Sequence, residues 1–173
     1  WHLTDGACPP LPGVDEFVRK EEDVPMAVRR MCLHAWLDGD WCFVDADVIF
    51  QKDVRHVFER AFDVAITDRV GTITYEKKYA EVMPYNMGVT FSRSKMFWLT
   101  VLGNLMLQSE KLQEWTGDQL VVCAMAKAGG MGFDMKVLPG RIYNYPPKSE
   151  DDDLSEAAIV HYKGHRKQWL GAA

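Results

Sequence analysis

An α/β layered fold is predicted by three observations. Short apolar, β-branched runs alternate along the chain with amphipathic stretches of helical length. Glycines and prolines punctuate the junctions between them. At 173 residues, with 47% hydrophobic and 26% charged positions, the chain is long enough for one domain with a real core.

Taken in order, residues 1–5 read as the tail of a strand, 8–13 as a proline-rich loop holding Cys8, and 15–20 as a short strand. Pro25 suits the first turn of a helix. The apolar face of that helix is predicted to be Met26, Val28, Met31, Cys32, Ala35 and Trp36, with an end near Gly39. The run Trp41-Cys42-Phe43-Val44-Asp45-Ala46-Asp47-Val48-Ile49-Phe50 follows at once. It is too short and too β-branched for a helix, so it predicts one buried strand carrying two carboxylates. Residues 53–60 predict a short helix capped by Asp53, with Val54, Val57 and Phe58 facing in. Residues 63–67 predict a strand ending in Asp68-Arg69, and 71–81 a polar loop or hairpin over a site.

Val89-Thr90-Phe91 marks a buried strand within 84–92. Residues 94–115 are amphipathic and predict a long helix, with Gly103-Asn104 as the place for a break. A further helix is predicted over 117–128, with Leu120, Val121, Cys123, Ala124 and Met125 inward and Gly129-Gly130 as its stop. Residues 136–138 and 142–143 read as short strands, and 146–153 as a loop whose acidic run, Glu150 to Asp153, faces water. Residues 157–161 predict a last apolar strand, and 163–169 a basic tail.

Several function classes are disfavoured. A net charge of −5 gives no overall electrostatic case for nucleic-acid binding, although nucleic acid stays open as a modified acceptor. No apolar run is long enough to span a bilayer, and no signal-peptide pattern is visible. The four cysteines, Cys8, Cys32, Cys42 and Cys123, form no C-x-x-C pair. The last three lie in apolar stretches and read as buried thiols. That argues against a zinc site and for a reducing compartment, so a cytoplasmic location is expected.

The chemistry concentrates at two places. In a strand, positions i and i+2 point to the same side, so Asp45 and Asp47 are expected to present two carboxylates to one place. Two bare carboxylates side by side repel and are costly to bury. A hard divalent ion such as Mn²⁺ or Mg²⁺ removes that cost; the alternative is that both face water at a strand end. The second place is the tail His161-Tyr162-Lys163-Gly164-His165-Arg166-Lys167-Gln168-Trp169. A histidine directly after an apolar strand can supply a third ligand through its imidazole. Gly164 allows a close backbone approach or a positive φ, and the cations around it suit a phosphate or diphosphate. Read alone, the same residues are a basic C-terminus, and Gly164 makes a helix there unexpected.

Three weaker signals accompany these. Asn86-Met87-Gly88 can hold sugar hydroxyls through the Asn amide, or be only a turn before a strand. Asp118 stands at a helix start, where on local grounds it caps the helix or favours its dipole. Arg29-Arg30 brings guanidinium just ahead of the carboxylates, with one of the two expected to reach a diphosphate.

Together these pieces resemble a GT-A-type nucleotide-sugar glycosyltransferase, closest to the family 8 group of retaining α-glycosyltransferases that includes glycogenin and lipopolysaccharide galactosyltransferases. Phe43-Val44-Asp45-Ala46-Asp47-Val48-Ile49 is similar to the family's D-x-D strand, and Asn86-Met87-Gly88-Val89 to its N-x-G-V segment. Gly117-Asp118-Gln119 is similar to its D-Q segment. His161-x-x-Gly164-x-x-Lys167-x-Trp169 is similar to its H-x-x-G-x-x-K-P-W tail, with Gln168 in place of the proline. The order and spacing agree from about residue 25 to 170.

The resemblance implies a Rossmann-like mixed sheet flanked by helices, with residues 1–173 as a single catalytic domain that lacks the family's first βα unit. It implies Asp45, Asp47 and His161 as ligands of Mn²⁺ or Mg²⁺, and Gly164 and Lys167 as diphosphate contacts. Arg29 or Arg30, and Asp68, would touch the donor sugar, and Asn86 and Gly88 would line its pocket. Asp118 and Gln119 would stand near the anomeric carbon as the catalytic pair. The implied donor is a UDP-sugar. The acceptor, whether glycan, lipid-linked sugar or another molecule, is left open, and 71–85 is the segment expected on its side.

Two other readings compete. The D-x-D run also resembles the first motif of haloacid-dehalogenase-type phosphatases, with Asp45 as nucleophile and Asp47 as general acid. Val121 and Val122 then occupy the position where a second acid is needed, and the 161–169 tail has no task. A catalytically inactive GT-A carbohydrate-binding domain is the third reading.

Overall fold

The computed structural model describes residues 2–4, 17–19, 24–69, 82–114 and 116–171. The expectations for 8–13, 71–81 and Trp115 lie outside them. Two short parallel strands, β1 (His2–Thr4) and β2 (Phe17–Arg19), pair with each other near the start.

A four-stranded mixed sheet carries the rest. Its strands are β3 (Trp41–Val44), β5 (Val64–Asp68), β6 (Tyr85–Ser92) and β7 (Met135–Leu138), in the order β3-β6-β5-β7. β6 runs antiparallel to both β3 and β5, while β5 and β7 are parallel. A separate antiparallel ladder joins β4 (Val48–Phe50) to β8 (Ile159–His161).

Alternation along β5 divides the core. Val64 and Ile66 pack on one face with Met31, Phe97, Trp98, Val101 and Met125. These side chains come from α1 (Met26–Trp36), α2 (Lys95–Met106) and α4 (Gly117–Lys127). Ala65 faces the other way, toward Val57, Phe91 and Ile159. Trp98 is almost fully buried, and its indole N–H donates to Ser92 Oγ at 2.7 Å, so no polar cost is left behind. The Ser94 hydroxyl caps α2 by accepting from Phe97 N at 3.2 Å, a contact worth about 1 kcal/mol. No helix among the described residues is long and apolar enough to cross a membrane.

Several elements differ from expectation, each for a physical reason. The D-x-D run is not one buried strand. β3 is the edge of the main sheet and only half buried, and the chain turns at 45–47 before β4 joins β8. Asp45 N donates to Gly88 O at 2.9 Å on one side of that turn, and Tyr162 N donates to Asp47 O at 2.8 Å on the other. The buried face of α1 is Ala27, Val28, Met31, His34 and Ala35, leaving Met26, Cys32 and Trp36 exposed. His34 takes the inward place because its ring stacks on Phe43, centroids 3.7 Å apart.

Helix α2 runs through Gly103-Asn104, where Asn104 Nδ2 donates to Thr100 O, and stops instead at Met106. A short α3 (Glu110–Glu114) follows. In α4, Val122 is inward and Ala124 exposed. Residues 142–143 are not a strand but the end of α5 (Gly140–Tyr143), a single turn that follows Pro139. The acidic run is tied down at Asp152, which accepts from Tyr145 Oη and Lys148 N, both at 2.8 Å. The tail is a 3₁₀ helix over Gly164–Gly171. Its first residue, Gly164, has φ +66°, so glycine is needed there for conformation and not for space.

Candidate functional site

The turn between β3 and β4 brings Asp45 and Asp47 together with His161, the last residue of β8. One ligand atom from each of the three lies within 4.8 Å of the others. His161 Nε2 is 3.1 Å from Asp47 Oδ1 and 3.7 Å from Asp45 Oδ2. His161 and Asp47 are buried, whereas the Asp45 side chain is 39% exposed, so the cluster opens to solvent on that side. Two carboxylates and one imidazole nitrogen form a donor set fit for a divalent ion. The hydrogen bond from His161 holds the Asp47 carboxyl well below the usual carboxylate range. Burial opposes that shift, and the His161 and Lys167 charges add to it.

Cations flank the acids. Lys167 Nζ sits 3.1 Å from Asp47 Oδ2. Arg30 Nη1 donates to Asp45 Oδ1 at 3.1 Å, and its Nε lies 3.1 Å from Asp118 Oδ2 without a hydrogen-bonding angle, so that second contact is ionic. Arg30 therefore links the 45–47 turn to the first turn of α4. Asp118 is almost fully buried and also accepts from Gln119 N at 2.7 Å. One oxygen thus takes the next backbone N–H and the ion pair takes the other, while Thr116, not Asp118, stands at the N-cap without a side-chain capping bond.

The remaining expected residues are placed as follows. Of the arginine pair, Arg30 reaches the acids, while Arg29 Nη2 donates to Val24 O at 3.4 Å. Asp68 ends β5 and accepts from Gly140 N, which ties it to the start of α5. Gln119 Oε1 accepts from Met87 N at 3.3 Å, pinning α4 to β6.

Asn86 and Gly88 lie inside β6, not before it. The β5 register jumps there, from Ile66 opposite Thr90 to Thr67 opposite Asn86. This irregularity sends Met87 to the helical face while Val89 and Phe91 face the other way. A Cβ on Gly88 would stand 2.2 Å from His161 Cε1, so the imidazole lies close against bare backbone. Glycine is required here by close approach, not by a turn.

One functional candidate went unread in the sequence. Asn144 is buried, and its Oδ1 is 2.8 Å from His161 Nδ1. Its Nδ2 donates to Thr67 Oγ1 at 2.7 Å and to Asn86 Oδ1 at 3.0 Å. Its neighbours Tyr143 and Tyr145 carry no sequence signal for that contact.

No protein-family profile matches the chain, and no curated protein matches it by sequence. Among solved structures it is similar to the crystal structure of a glycosyltransferase involved in the glycosylation of the major capsid of PBCV-1. The likeness has a TM-score of 0.65 at 15% identity, over 91% of this chain and 84% of that one. At this identity the likeness is one of fold: the chain has the mixed α/β architecture of a glycosyltransferase, with an Asp-x-Asp-His cluster fit for a divalent ion at the edge of its main sheet.

Proposed function

We propose that this domain is a metal-dependent glycosyltransferase of the retaining, family 8-like kind, moving a hexose from a UDP-sugar to an acceptor such as a glycan or a lipid-linked sugar. The observation that carries the reading is the Asp45-Asp47-His161 cluster with Lys167 and Arg30 on its flanks, in a fold shared with a glycosyltransferase. Asp45, Asp47 and His161 would hold Mn²⁺ or Mg²⁺, which supplies neutralising charge for a departing diphosphate.

The chain's own cations complete that task. Lys167 is positioned to leave Asp47 for a diphosphate oxygen, and the Gly164 backbone lies on the same tail. Arg30 sits between Asp45 and Asp118, where it can stabilise negative charge on the leaving group. The near-complete burial of Asp118 under Arg30 supports an electrostatic role beside an oxocarbenium-like sugar over that of an accessible nucleophile. Asn86 Oδ1 is taken up by Gly88 N and Asn144 Nδ2, so its amide nitrogen is the part left for a donor sugar. The phosphatase reading leaves the tail without a task, whereas His161 and Lys167 both lie against Asp47.

Isothermal titration with UDP, run with and without Mn²⁺, tests the proposal. Binding is expected only with the cation, and equal binding without it defeats the reading. Asp47→Ala is expected to abolish Mn²⁺-supported hydrolysis of the donor in a nucleotide-sugar screen while the protein still melts cooperatively.

A further inference from the structure

The hydrogen-bond network behind His161 fixes which nitrogen of its ring faces the carboxylates. The backbone N–H of Gly88 donates to Asn86 Oδ1 at 2.8 Å, which makes that atom the amide oxygen. The Asn144 side-chain atom 3.0 Å from the same oxygen must then be a donor, its Nδ2. A second contact agrees. Thr67 Oγ1 spends its proton on Asn86 O at 2.8 Å and offers a lone pair to Asn144 Nδ2 at 2.7 Å. Asn144 therefore turns its oxygen toward His161 Nδ1, 2.8 Å away. That nitrogen must carry a proton, because a bare one would set lone pair against lone pair. All of these groups are buried, so water cannot supply an alternative partner.

We propose that Asn144 is a positioning residue: its Oδ1 holds His161 with the proton on Nδ1, so that Nε2 is the nitrogen offered to a cation between Asp45 and Asp47. The proposal rests on the metal-site reading above and adds to it a residue outside the ligand set. Nε2 stands 3.1 Å from Asp47 Oδ1 and 3.7 Å from Asp45 Oδ2. With Nδ1 held by Asn144, Nε2 is the nitrogen hydrogen-bonded to Asp47, and a divalent ion between the two carboxylates would take the place of its proton. Binding the ion needs no rotation of the ring. Gly88 leaves the ring its place, since a Cβ there would meet Cε1 at 2.2 Å and Nδ1 at 2.6 Å. The relay thus joins β5 through Thr67, β6 through Asn86 and Gly88, and the end of α5 through Asn144, to one ligand atom on β8.

The test compares Asn144→Leu with Asn144→Asp in the whole chain, titrated with Mn²⁺ alone. Both variants lose the amide donations to Thr67 and Asn86, but only Asp keeps an oxygen against Nδ1. The leucine variant is expected to lose roughly 10–100-fold in Mn²⁺ affinity, and the aspartate variant to stay near or above wild type. Equal losses in both reduce Asn144 to a structural role and overturn the proposal.

Nitrogen-15 NMR of the Mg²⁺-bound protein gives a readout that added charge at position 144 does not mimic. A protonated, pyrrole-type Nδ1 on His161 is expected in wild type and in Asn144→Asp. A protonated Nε2 with a bare Nδ1 in wild type overturns the proposal even where Asn144→Leu fails to fold. Failure of wild type to bind Mn²⁺ sinks the metal reading itself. Wild-type binding that Asn144→Leu matches sinks only the positioning role.

Discussion

At the scale of single residues, Gly88 decides whether the imidazole can sit where the carboxylates need it. An added methyl would meet His161 Cε1 at 2.2 Å and Nδ1 at 2.6 Å, far inside van der Waals contact. Neither side can give way easily, because β6 is paired on both sides and the ring is anchored by Asn144. Gly88→Ala is therefore expected to cost about 1–3 kcal/mol of stability from overpacking. It should also lower Mn²⁺ affinity roughly 10-fold or more by pushing Nε2 off its direction. Calorimetric melting and Mn²⁺ titration check the two parts. Unchanged Mn²⁺ affinity would show that the ring has room the packing denies.

The three candidate ligands were legible as a cluster in sequence, because carboxylates spaced i, i+2 beside apolar runs and a histidine after a strand are unusual enough to need a reason. Asn144 was not legible. Nothing in Tyr143-Asn144-Tyr145 announces that the amide will be 2.8 Å from a residue 17 positions on.

At the scale of elements, α1 shows how tertiary packing overrides a helical pattern. Counting apolar residues puts Met26, Cys32 and Trp36 inside. The fold turns His34 inward instead, between Phe43 and Trp98, with its Nδ1 unpartnered and buried. Burial, with the Arg30 charge beside it, pushes the His34 pKa well below its ordinary value of 6.5. The unfolded chain therefore binds more protons than the folded one once the pH falls below about 6.5. Stability is full above that value and declines below it, by up to about 1.4 kcal/mol per pH unit, until the folded histidine itself titrates.

The melting temperature of wild type should accordingly fall from about pH 6.5 down to about pH 5. His34→Phe keeps the stack on Phe43 and removes the titrating group. Its melting curve is expected to be flatter over that window, and parallel curves would refute the assignment. The D-x-D run illustrates a related limit. Its apolar flanks correctly predicted strands, but the jump from one sheet to another depends on Gly88 O and Tyr162 N as partners for Asp45 and Asp47. Those partners lie 43 and 115 residues farther along the chain.

At the scale of the whole molecule, the site is assembled from both halves of the chain. Arg30 comes from α1, the carboxylates from the β3–β4 turn, Asp118 from α4, His161 from β8 and Lys167 from the 3₁₀ tail. Element order was readable because alternation of periods survives in sequence; the meeting of these elements was not, since antiparallel and parallel pairings mix in one sheet.

Two deletions separate what the tail contributes. Ending the chain at Tyr162 removes Lys167 but leaves the His161–Asp47 contact and the Tyr162 N to Asp47 O bond in place. That form is expected to bind Mn²⁺ nearly as wild type does, yet to lose roughly ten-fold or more in Mn²⁺-supported UDP affinity, since a charged donor to the diphosphate is gone. Ending the chain at Val160 removes His161 as well and is expected to lose Mn²⁺ binding itself, nearly as Asp47→Ala does.

The tail also packs Trp169 against the Ala157, Val160 and Tyr162 cluster, and Arg166 Nε donates to Pro147 O, so either deletion can loosen the fold. Lys167→Ala in the full chain guards against that. It should reproduce the UDP loss of the shorter deletion with an unchanged melting temperature, because the Lys167 side chain is 62% exposed. Full UDP affinity in Lys167→Ala would remove the tail from diphosphate binding, and Mn²⁺ affinity retained in the Val160 form would remove His161 from the metal site.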